Sequence, residues 1–132
     1  MLGKHYLLIA LCVCVGFVQG CHQQSAPAAQ NLTIAYEVSP LPARVGDVTI
    51  TIRMKDAGSN EPIAGARIKL EGNMSHAGMA PVFADAKEIS PGQYRTNMKL
   101  SMAGDWYVLV HLTLADGREL EQKFEIKEVA PA

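Results

Sequence analysis

A chain of 132 residues carrying 12 basic and 13 acidic side chains has a formal charge of −1, so it offers no basic field for nucleic acid. Its length fits one domain. With 3 cysteines and 48% hydrophobic residues, it relies on an apolar core and not on a disulfide framework.

The amino terminus reads as a targeting segment. Lys4 supplies a small positive region, and Leu7 to Val18 is an uncharged, largely apolar run. As a helix that run reaches only about 18 Å, short of the roughly 30 Å hydrocarbon core of a bilayer. A signal-peptide core therefore fits better than a membrane span. Val18-Gln19-Gly20-Cys21 looks like a lipobox, where lipoproteins are acylated on cysteine and cut just before it. The alternative is an ordinary secretory signal cut nearby, with Cys21 an incidental thiol.

The expected division is a signal peptide over 1–20, a lipidated Cys21 and linker over 21–31, and a β domain over 32–129. Removing residues 1–20 takes away Cys12, Cys14 and Lys4, leaving 11 basic against 13 acidic residues, a charge of −2. With Cys21 committed to lipid, the domain has no thiol nucleophile and no zinc knuckle. Residues 21–30 (CHQQSAPAAQ) are polar, Ala- and Pro-containing, and read as a flexible tether.

From Leu32 onward the dominant period is two. Leu32, Ile34, Tyr36 and Val38 share one face. Val48, Ile50, Ile52 and Met54 alternate with Thr49, Thr51, Arg53 and Lys55. Ile68 and Leu70 oppose Lys69 and Glu71; Tyr94, Thr96, Met98 and Leu100 oppose Arg95, Asn97 and Lys99. Leu120, Phe124 and Ile126 face away from a charged row running from Glu119 to Lys127. Each run predicts a strand with one buried and one wet face. Trp106 to Leu114 is apolar on both faces apart from His111 and Thr113, which predicts a central strand covered on both sides. Turn signals separate these runs, among them Ala57-Gly58-Ser59-Asn60, Ser90-Pro91-Gly92, Ala103-Gly104-Asp105 and the hairpin pair Asp116-Gly117. About seven short strands and no helical stretch predict an immunoglobulin-like β-sandwich.

No catalytic constellation is visible, neither a nucleophile elbow nor a glycine-rich phosphate loop, so an enzyme is not expected. The one concentration of unusual chemistry is Gly72 to Pro81, which contains Met74, His76 and Met79 as M-x-H-x-x-M. Soft thioethers favour Cu(I), and imidazole also suits copper. Extended backbone sets Met74 and His76 on one side. Gly78 is placed to turn Met79 back toward them, and Met98 and Met102 are further candidate ligands. The competing reading is packing: Met74 and Met98 continue inward strand faces, and methionine fills irregular core gaps. His111 reads as structural.

Pro91-Gly92-Gln93-Tyr94-Arg95, then Met102-Ala103-Gly104-Asp105-Trp106-Tyr107-Val108-Leu109-Val110, then Asp116-Gly117, resemble the YtkA-like/FixH-like family. The resemblance covers Leu32 to Lys127 and implies a small extracytoplasmic β-sandwich. In its FixH branch it implies a connection to assembly of copper-containing cytochrome oxidases. FixH-type proteins look membrane-spanning, whereas this chain has a lipobox, which favours a general envelope role over an oxidase-specific one.

The expected function is a lipid-anchored extracytoplasmic binding protein, a Cu(I) chaperone or buffer working through Met74, His76 and Met79 with Met98 or Met102. Its partners would be the membrane, through the lipid, and a copper-receiving or envelope assembly protein. The alternative is a metal-free immunoglobulin-like interaction module of an envelope complex. His22 after the lipidated cysteine is not the Asp that retains lipoproteins at the inner membrane, which points to the outer membrane in a Gram-negative cell.

Overall fold

The computed structural model describes residues 31–76 and 78–132. The expected signal peptide, Cys21 and most of the linker lie outside the described residues. Seven strands follow in order: β1 (Leu32–Ser39), β2 (Gly46–Asp56), β3 (Arg67–Met74), β4 (Val82–Ser90), β5 (Gln93–Leu100), β6 (Gly104–Thr113) and β7 (Glu119–Val129). All strand-to-strand pairings are antiparallel, in the order β1-β2-β5-β4-β3-β6-β7.

The sheet folds over on itself at β4, giving the expected immunoglobulin-like sandwich. Val82–Ala86 pair with β3, while Lys87, Glu88 and Ser90 pair with β5, with a register shift between Glu88 and Ser90. One face of the sandwich is therefore β1, β2, β5 and the end of β4; the other is the start of β4, β3, β6 and β7. The far flank is laced by a parallel bridge between Arg44 and Ala130. There the Val45 N–H donates to the Ala130 carbonyl at 2.8 Å and the Ala130 N–H donates to the Ala43 carbonyl at 2.9 Å.

The period-two runs bury the faces expected of them. Val48, Ile50, Ile52 and Met54 from β2 meet Ile68 and Leu70 from β3, Tyr94, Met98 and Leu100 from β5, and Trp106, Val108, Val110 and Leu112 from β6. Burial of this kind yields about 25 cal/mol per Å² of apolar surface. Among the described residues, the core and every strand pairing lie within residues 32–130.

Two expectations need correction. β4 was not anticipated as a strand, because its inward residues are the small Val82, Ala84 and Ala86 while Phe83 and Ile89 point outward. β6 is central, between β3 and β7, but among the described residues no second layer covers its outer face. Tyr107, Leu109 and His111 are half-buried there by long side chains of neighbouring strands. Lys123 Nζ, for example, lies 4.7 Å from the Tyr107 ring centroid.

Candidate functional site

The pairings fix which loops share an end. Leu32 stands beside Asp56, and Arg67 beside Thr113, at the end where the chain enters the domain. Gly46 pairs with Leu100, Met74 with Trp106, and Gly104 with Val129 at the opposite end. The connections β1–β2, β3–β4 and β5–β6 all lie at that second end, and with them the Met/His segment and Met102.

Gly72, Asn73 and Met74 belong to β3, so the loop proper begins at Ser75. Met74 is 6% exposed and packs with the core, its methyl group toward Gly104: a Cβ on Gly104 would stand 3.3 Å from Met74 Cε. Met98 is 1% exposed and crosses from β5 to lie over Gly72, where an added Cβ would stand 2.7 Å from its sulfur. The absence of a side chain at Gly72 is what makes room for that thioether. Both methionines fill core space as gap-filling methionines do.

The remaining candidates meet solvent. His76 is exposed, Met79 is half-buried against the core, and Met102 is 45% exposed. Met102 is held by its own backbone, because the buried Trp106 Nε1–H donates to the Met102 carbonyl at 3.0 Å. That bond anchors the β5–β6 turn and leaves the thioether free. The five expected residues thus share one end of the sandwich in two tiers, with Met74 and Met98 in the core and His76, Met79 and Met102 on the loops. Among the described residues no three His, Cys, Asp or Glu side chains gather to hold a metal ion, so a metal here would depend on thioethers.

His111, expected to be structural, sits on the outer face of β6. Its Nε2 lies 3.2 Å from Glu71 Oε2 on β3, and its Nδ1 lies 3.3 Å from Glu121 Oε2 on β7. The carboxylates address opposite sides of the ring, so they do not converge on a common ligand. They brace three adjacent strands.

A concavity missed in the sequence lies where β4 leaves β5. It has a volume of about 340 Å³ and is lined by Asp85, Lys87, Ile89, Arg95, Thr96 and Asn97. The sequence signal was the alternation Phe83-Asp85-Lys87-Ile89, hidden because the opposite face carries only the small Val82, Ala84 and Ala86 followed by the polar Glu88 and Ser90.

The YtkA-like family model matches residues 27–111. No curated protein matches the chain in sequence. Among solved structures, a DUF4785 family protein from Legionella pneumophila superposes with a TM-score of 0.52 at 10% identity, covering 79% of this chain. The chain spans 30% of that protein's length. Murine CRIg (TM-score 0.43, 14% identity, 76% of this chain and 98% of that one) is also similar. So is a cohesin module of a Clostridium perfringens family 33 glycoside hydrolase (TM-score 0.45, 12% identity, 78% of this chain and 99% of that one). At such identities the likeness concerns the fold alone.

Proposed function

The chain belongs to the YtkA-like family, and from that premise we propose that it is a lipid-anchored extracytoplasmic protein that holds and passes Cu(I). The observation that carries this reading is that strand pairing sets the β3–β4 loop, with the exposed His76 and half-buried Met79, at the same end of the sandwich as the β5–β6 turn bearing the exposed Met102, with Met74 and Met98 buried in the core at that end. Thioether sulfur and imidazole nitrogen suit Cu(I). The three loop residues would take the ion first, with Met74 or Met98 beneath them. Ligands on loops over a rigid scaffold suit a cargo that must leave again.

The chain's polarity supports the same reading. Acylation at Cys21 would attach the membrane through residues 21–31 to the end where β1 begins, and the methionine loops lie at the other end. Cargo would then be offered to the solvent and not to the lipid surface. Several acyl chains give a stable anchor where one is marginal.

The test is an anaerobic Cu(I) titration of residues 31–132, which contain no cysteine, against a chromophoric chelator. One-to-one binding lost in a His76→Ala, Met79→Leu, Met102→Leu variant that melts like the parent is expected. Equal copper uptake by parent and variant would refute the reading.

A further inference from the structure

Among the described residues, β5 pairs beyond Arg95 only with β2, and β4 pairs before Lys87 only with β3. The two strands part between these residues and leave a stretch of β5, Thr96 to Leu100, with one edge open. An open edge presents unpaired backbone N–H and C=O groups to a further strand. The cleft of about 340 Å³ sits at this parting.

Its charge is unusual for a sheet surface. Lys87 and Arg95 are direct cross-strand partners, although like charges placed opposite one another destabilise a sheet. Among the described residues neither enters an ion pair. Nearby carboxylates are engaged elsewhere: Glu37 with Arg53 at 2.8 Å, and Glu88 with the Gly65 and Gly92 amides. Asp85 lines the cleft but stands opposite Lys69 on β3, and Lys99 adds a further cation on the outer face of β5. Ile89 is 46% exposed in the cleft, and Phe83 is 60% exposed on the same face of β4.

We infer that this cleft receives an extended acidic segment of a partner protein, which adds as a strand to the free edge of β5 with its carboxylates on Lys87 and Arg95. Strand addition takes its affinity from main-chain hydrogen bonds and its selectivity from alternate side chains. The paired cations would select acidic residues, and Ile89 with Phe83 would select apolar neighbours. This surface lies on a strand edge, not among the methionine loops, so the inference holds whether or not copper binds.

The probe is a fluorescent octapeptide of alternating Val and Glu, titrated by anisotropy into the protein as processed by the cell and purified in detergent. Saturable binding is expected, several-fold weaker at 300 than at 50 mM salt because exposed charges are screened. Lys87→Glu and Arg95→Glu should each weaken it at least tenfold. Lys87→Glu should also keep or raise the melting temperature, since it replaces a repulsive cross-strand pair by an attractive one; a loss of folding could not mimic that combination. Copper chelation should leave binding unchanged. Binding unaffected by either charge reversal would overturn the inference, as would equal binding of a peptide with two central prolines. Self-association or capture of phosphatidylglycerol vesicles, lost in the same variants while the peptide fails to bind, would overturn it in favour of a second copy or a lipid surface.

Discussion

Two tyrosines, one well bonded and one orphaned, make opposite predictions for the same chemical change. The Tyr94 hydroxyl donates to the Ile63 carbonyl at 2.8 Å and accepts the Ala66 N–H at 3.0 Å, tying the approach to β3 onto β5. The Tyr36 hydroxyl is buried with no partner, while its ring stacks on Phe124 at 4.5 Å between centroids. Removing an oxygen from Tyr94 strands a backbone carbonyl and a backbone N–H in a half-buried setting. At about 1 kcal/mol per net bond, plus the cost of unsatisfied groups, Tyr94→Phe should destabilise by about 2–3 kcal/mol. Tyr36→Phe keeps the stack and removes an oxygen that gains nothing in the folded state, so it should be neutral or stabilising by up to about 1 kcal/mol. Urea denaturation of residues 31–132 reads both, provided the m-value is unchanged. Burial also pushes the Tyr36 phenol up to about 12, from an ordinary 10.0. Its folded value is above the unfolded one, so its contribution is full below pH 10 and is lost as pH rises toward 12; Tyr36→Phe should escape that alkaline loss. A Tyr36→Phe cost equal to that of Tyr94→Phe would refute the argument.

Gly92 has φ +73°, and a Cβ there would stand 2.7 Å from the Met54 carbonyl oxygen and from Pro62 Cβ. Gly92→Ala should therefore lower stability by more than about 2 kcal/mol in the same urea assay, combining backbone strain with overpacking. At the other extreme of pH, Asp56 accepts the Ser59 and Gly58 amides, and Asp116 accepts the Arg118 amide; these bonds hold both carboxyls below their usual value. Their folded values are depressed, so the stabilisation is complete above pH 4 and fades as pH falls through the folded values. The melting-temperature gap between the parent and an Asp56→Asn, Asp116→Asn variant should stay constant above pH 4 and close as pH falls from 4 toward 2.

Five of the seven strands were legible because each sets large apolar residues on one face against polar ones on the other, and β6 because it is apolar on both faces. The pattern in Tyr94, Thr96, Met98 and Leu100 located β5 within one residue of its start at Gln93. β4 was illegible for the converse reason. Its buried side carries Val82, Ala84 and Ala86, too small to mark a face, and its largest apolar residues, Phe83 and Ile89, look outward. Local patterning also could not show what Gly72 does inside β3, where the absence of a side chain makes space for the Met98 sulfur. That the turn bearing Met102 shares an end of the sandwich with the Met/His segment was anticipated only as a possibility of strand order. It is fixed by the pairing of Met74 with Trp106, a contact 32 positions apart that no local pattern encodes.

The divided loyalty of β4 also bears on how the domain breathes. Its halves belong to different sheets, so it cannot detach from one face while the other stays whole. The strand with the least buried surface is thus the one whose release opens both layers. Fraying should begin at the peripheral β1 and β7, while amide protons of β4 that bond to β3 and β5 should exchange with solvent only when the whole domain opens.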